Sequence, residues 1–178
     1  AFSAACLSFE PGSETWAFKS LHGVSVAELT ATQIATLQEK NISYFTEYGG
    51  KTVTQDGKTV SGEWIDTVRF MWWLKAFMQN CIYNLFVTNP KIPYTDGGIA
   101  LVENQMIFAL KRGQRMGGIN PTEYDDSGNA VPGYTVTVPL ARELTQAERA
   151  SRQLKGCKFT ARLAGAIHFV EVRGTLEY

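Results

Sequence analysis

The chain has 178 residues, 44% of them hydrophobic and 12% aromatic, enough to close one sizeable core or a core with a small lobe. Seventeen basic and seventeen acidic side chains cancel, and no block of like charges could neutralise a run of phosphates, so nucleic acid is excluded as a partner. Neutrality also leaves little repulsion between copies, which suits self-association.

The chain starts at Ala1 without an initiator methionine and reads as an extended stretch down to TWAFKSL, the expectation for a fragment of a longer protein. No basic region precedes an apolar run, so no signal peptide is read. Val26 to Lys40 is predicted as a short helix, with Ser25 or Thr30 as its N-cap and Asn41 as its stop. Ile42, Tyr44, Thr46 and Tyr48 then alternate along a strand to Gly49-Gly50, and a Thr- and Val-rich ribbon turning at Asp56-Gly57 is expected to project as a hairpin.

Trp64 to Val87 is too apolar for a helix with a wet face. At ~100° per residue, Trp64, Val68, Met71, Met78, Ile82 and Phe86 fall on one side, while Trp73 and Phe77 lie opposite among Asp66, Arg69, Asn80 and Asn84. Trp64, Trp72, Trp73 and Phe77 therefore belong either to a central core helix or to a contact buried by a second subunit. Asp66, Arg69 and Lys75 interrupt the segment where a bilayer would cover it, so no membrane insertion is expected. Pro90 and Pro93 break the chain, Thr95 or Asp96 caps a helix over Ile99 to Arg112, and Gly117-Gly118 stops it.

Residues 119–133, INPTEYDDSGNAVPG, are rich in turn formers and read as an exposed loop open to proteolysis. Tyr134, Val136 and Val138 alternate as a strand, Thr145 with Glu148 forms a capping box for a helix through Leu154, and Cys157, Phe159, Ala161 and Leu163 share one face of a further strand. The fold class is α+β: a mixed or antiparallel sheet packed against two long helices, with a projecting hairpin and a C-terminal extended strand. One domain, residues 1–178, accommodates these elements.

The last segment, 167–178, keeps a period of two to the terminus, with Val170, Val172, Leu176 and Tyr178 on one face and Glu171, Arg173, Thr175 and Glu177 on the other. At ~3.3 Å per residue such a strand spans roughly 35 to 40 Å, longer than a typical strand. It either pairs within its own sheet or overruns it and adds to a neighbour's.

Chemical signatures are absent. His22 and His168 have no cysteine or carboxylate at ligand spacing and read as packed or surface side chains, so no metal is assigned. Asp125 to Asn129 resembles half a calcium loop but lacks its closing acid and reads as a turn. No nucleophile elbow or phosphate-binding loop occurs, so no catalytic residue and no cofactor are assigned. Cys6, Cys81 and Cys157 are odd in number and widely spaced, which fits a reducing compartment.

Three blocks carry a family resemblance: Gly62 to Glu103, whose helix runs into KIPYTDGGIALVE; Arg112 to Pro121; and Leu163 to Tyr178, including LAGAIHFVEVRGTLEY. The chain resembles, from Ala1 to Tyr178, the C-terminal part of a contractile-tail sheath protein of a myophage. The resemblance implies a non-enzymatic virion subunit that assembles with copies of itself in stacked rings around the tail tube protein, contracts, and promotes genome ejection. It places the protein in the phage tail, and in host cytoplasm during assembly. It also implies exchanged terminal arms, with Val170 to Tyr178 as the C-terminal arm and an N-terminal arm upstream of Ala1, and an inner domain around Trp64 to Met116 facing the tube. The alternative is a small ligand-binding module or enzyme with a cleft between the helices of Gly62 to Met116 and the strands of Tyr134 to Val172, served by Asp66, Arg69 or Asp96.

Overall fold

The structure, a computed structural model, describes residues 1–175. The chain divides into two compact units; the first takes residues 1–8, 15–65 and 165–175, and the second residues 9–14 and 66–164.

In the first unit, residues read as extended at the N-terminus instead form a helix, α1 (Phe2–Leu7). Its Cys6 is buried, and Phe2 meets Trp16 edge-on at 5.2 Å, so packing of one face holds the short helix. Helix α2 (Ala31–Glu39) starts five residues later than Val26. Thr30 supplies the cap because it pairs reciprocally with Gln33, whereas Ala27, upstream, donates its N–H to the Phe45 carbonyl at 3.0 Å and lies alongside a strand. Asn41 ends the helix in a left-handed conformation, φ 54°.

Strands β1 (Tyr44–Tyr48) and β2 (Lys51–Gln55) form an antiparallel hairpin. Its turn is Gly49-Gly50, both with positive φ as a type I′ turn requires, and not Asp56-Gly57. Asp56 and Gly57 also take positive φ, but Gly57 is pressed against Trp16, 2.7 Å from an added Cβ to the indole's own Cβ, so the chain turns inward there. Buried Thr54 closes this unit, donating through Oγ1 to the Trp16 carbonyl at 2.8 Å and accepting from the Lys19 N–H at 3.0 Å.

In the second unit, helices α3 (Ile65–Thr88) and α4 (Asp96–Arg115) share the core. Thr95 caps α4, accepting from the Gly98 N–H, and Gly117 (φ 87°) follows its C-cap. The core is Phe70, Leu74 and Met78 from α3, Met106, Ala109 and Leu110 from α4, and Ile119. Phe70 needs a bare backbone under its ring: a Cβ on Gly118 would lie 2.3 Å from its Cε2.

Ile119, the first residue of the expected loop, is thus core, and Glu123–Tyr124 (β3) pairs with Ala130–Val131 (β4) across it; residues 121–130 are exposed throughout. Strands β5 (Tyr134–Thr137) and β6 (Lys158–Ala161) pair antiparallel, and Tyr134, Val136, Cys157 and Ala161 cover the helical core. A 3-10 turn (Ala141–Glu143) and the short α5 (Gln146–Ala150), capped by Thr145 and Glu148 as expected but ending before Leu154, connect them. The α+β class with two long helices holds; every ladder among the described residues is antiparallel and two-stranded.

Candidate assembly surface

The long apolar helix is where sequence and structure differ most. Its buried stripe is Phe70, Leu74, Met78, Cys81 and Leu85, turned by roughly 80° from the face read in the sequence, with Met78 common to both. A helix apolar on nearly every side has little preferred direction, and packing against α4 selects the face. Trp73 and Phe77, assigned to the far side, flank the core and stack in a row with Phe70 and Phe108, at centroid spacings of 5.7, 5.0 and 6.1 Å.

Trp64 is not on the helix at all: it precedes Ile65, pairs with Lys58 as an isolated bridge in the first unit, and carries the Lys58 ammonium 4.9 Å from its ring centroid. Trp72 is 65% exposed, so it is no core residue; Lys75 lies 5.2 Å above it. Met71, Tyr83, Phe86 and Val87 are exposed as well. Within the single chain α3 is therefore covered on one side, and its other side presents an uncovered aromatic and aliphatic surface.

A second apolar surface adjoins it within the same unit. Met71, Leu74, Met78 and Ile82 of α3 face Phe159, Ala161 and Leu163 across a groove of about 450 Å³. Phe159 and Leu163 are exposed, and no third strand pairs with β6 among the described residues. The groove thus combines an apolar floor with a strand edge whose backbone groups are open to a further strand.

In the first unit, 165–175 joins no ladder, so the strand expected from Ile167 does not pair within the single chain. Alternation alone does not pair a strand: among the described residues no ladder joins 165–175 to any sheet, the open edge of β6 included. Val170 and Val172 are 68% and 84% exposed, and Ile167 and Phe169 are exposed too. Arg173 donates to Glu171 at 2.8 Å, as side chains two apart on one face of an extended chain do. Leu176 and Tyr178, the other two residues assigned to the arm, lie outside the described residues.

The residues considered for an enzyme or ligand site are occupied by structural work. Asp66 accepts from the Thr67 N–H, Arg69 pairs with Glu14, and Asp96 accepts the Ala141 N–H at 2.7 Å. Burial pushes the Cys81 thiol up, and burial followed by the Glu103 carboxylate pushes Cys157 up, away from the depressed range of nucleophilic cysteines. Among the described residues no His, Cys, Asp or Glu cluster could hold a metal, and no helix is long and apolar enough to cross a membrane. Asp125 organises a turn, accepting from the N–H groups of Ser127 and Asn129.

Comparison with known proteins bears on this arrangement. The family model described as E217 tail sheath protein gp31-like, C-terminal domain, matches residues 65–176. Among solved structures, the fold is similar to a chain of the anti-feeding prophage baseplate (TM-score 0.67, 16% identity, covering 93% of this chain and 45% of that one). It is similar also to the anti-feeding prophage helical sheath in its contracted state (0.63, 15%, 90% and 44%). A third is the PVC sheath complex of an extracellular contractile injection system, likewise contracted (0.67, 13%, 92% and 46%). This chain thus spans less than half the length of each of these relatives. No curated protein matches it in sequence.

Proposed function

The chain belongs to the gp31-like tail sheath family through its C-terminal domain, and from that premise we propose that it is a structural subunit of a phage contractile tail sheath. In this reading it self-assembles as stacked rings around the tail tube and contracts to drive the tube into the host envelope during genome ejection. Its place is the phage tail, after assembly in host cytoplasm. One observation carries the reading: the same chain displays an unpaired apolar segment at 167–175 and an unpaired strand edge, β6, beside an apolar groove.

Addition of the segment from one copy to β6 of another would satisfy both. Main-chain hydrogen bonds supply the attachment, and Val170 and Val172 supply apolar burial of about 1.5–3 kcal/mol each if fully covered. An arm joined through backbone bonds lets compact bodies rotate and slide while the connection persists, as contraction between two packings demands. The uncovered face of α3 is then closed by a neighbouring copy or by the tail tube protein.

The test is assembly of the full-length protein carrying Val170→Asp and Val172→Asp. Tubes of stacked rings in negative-stain electron microscopy are expected for the unaltered protein, and dispersed, folded particles for the double variant. Normal tubes from the double variant would refute strand addition. Loss of folding, seen in circular dichroism, would place these valines in the chain's own core and equally refute it.

A further inference from the structure

Within 165–175 only His168 is partly buried; every other residue of the stretch is exposed. The His168 ring meets Trp64 edge-on at 4.5 Å and 89°, and Phe18 at 5.5 Å and 88°. Its Nε2 lies 2.7 Å from the Thr15 hydroxyl. A hydroxyl both donates and accepts, so this bond survives either imidazole tautomer.

The slot is built without the segment it holds. Trp64 is fixed by its bridge to Lys58 and by the Lys58 ammonium over its ring, and Ile65, the next residue, donates its N–H to the Gly57 carbonyl at 3.0 Å. Phe18 donates its N–H to the Thr54 carbonyl at 2.8 Å, and Thr15 Oγ1 also accepts from Ala17. Around His168, by contrast, no ladder ties the backbone of 165–175, and Ile167 and Phe169 on either side point to solvent.

We propose that His168 is a clasp: it fixes the root of the C-terminal arm in the Thr15–Phe18–Trp64 slot, so that the residues available for exchange begin at Phe169. Without it the arm would be loose from Gly165, and a longer free tether lowers the effective concentration of Val170 and Val172 at a neighbour's β6 edge. The clasp's consequence for assembly rests on the sheath reading; the clasp itself is a property of the single chain and is tested there.

The measurement is backbone ¹⁵N relaxation across 160–175 in the 178-residue chain. Order parameters near about 0.85 through His168, falling below about 0.6 within 170–175, are expected for the unaltered chain. In His168→Ala the fall should move back to Gly165; in Phe169→Ser, an exposed neighbour, it should stay in place. Thr15→Val removes the hydroxyl partner of His168, together with the longer 3.4 Å bond from the Ala17 N–H, and should give an intermediate profile, which keeps the test decisive if His168→Ala does not fold. A profile already below about 0.6 at 165–168 in the unaltered chain, or a profile indifferent to Thr15→Val, overturns the clasp. Either result leaves strand addition standing, since that depends on Val170, Val172 and β6.

Discussion

Two arginines hold the same stretch, residues 9–14, against the helices of the second unit, and their different burial sets a sharp contrast in cost. Arg69 of α3 pairs with Glu14 and donates to the Phe9 carbonyl at 2.7 Å; the Glu14 side chain is fully buried and that of Arg69 is 19% exposed. Arg112 of α4 reaches Glu10 at 3.2 Å with 40% and 63% of the side chains exposed. In Arg69→Ala the Glu14 carboxylate keeps the Gly12 N–H at 3.0 Å but loses its cation in a site without water contact. Breaking a buried pair from one side costs about 3–5 kcal/mol, in line with ~4 kcal/mol for unit charges 4 Å apart at an effective dielectric of ~20. Arg112→Ala, at the surface, should cost less than about 1 kcal/mol. Urea unfolding followed by circular dichroism measures both. Adding Glu14→Gln to Arg69→Ala should restore part of the loss, because the stranded charge is gone. Equal costs for the two arginines, or no recovery in the double variant, would refute the argument that burial of Glu14 makes the difference.

Gly118→Ala should destabilise by about 1–3 kcal/mol, because its Cβ would meet the Phe70 ring at 2.3 Å, and a paired Phe70→Leu should recover part of that in thermal unfolding. Thr30→Ala removes the bond that the Thr30 hydroxyl accepts from the Gln33 N–H, while the residue-30 N–H can still donate to Gln33 Oε1, and should cost about 1 kcal/mol, with amides 31–34 losing exchange protection first. The Asp125 carboxyl is held below the ordinary carboxylate range, chiefly by the Asn129 backbone N–H and then by its side chain. A depressed value means the turn's stabilisation is present above the ordinary carboxylate pKa of about 4 and is lost as pH falls through the lower folded value, which an NMR titration of Asp125 against Asp125→Asn should show. Chymotrypsin should cut first after Tyr124 in the exposed 121–130 stretch, and mass spectrometry of the first fragments checks this.

What the sequence made legible follows from how local each signal is. Thr95, Thr145 with Glu148, Asn41 and Gly117 act within a turn of their helix, and each stands where its residue type indicates. The paired strands β5 and β6 were legible because alternation and a buried helical surface agree. The face of α3 was not, because Trp72, Tyr83 and Phe86 are as apolar as the residues that α4 covers, and only the partner decides which stay outside. Gly49-Gly50 and Asp56-Gly57 both permit positive φ, so choosing the hairpin turn needed the Tyr48 to Lys51 register. His168 showed no ligand spacing and was read as packed or surface; its slot joins residues more than a hundred positions apart, which no local pattern encodes.

The central claim is that residues after His168 complete a sheet in another copy, and cryo-electron microscopy of the assembled full-length protein tests it most directly. The expected map shows an added strand, carrying the side chains of Val170 and Val172 from a neighbouring subunit, beside β6 and over the groove of Met71, Met78 and Phe159. A map in which β6 keeps a bare edge, or in which 169–175 folds back onto its own chain, would contradict the account.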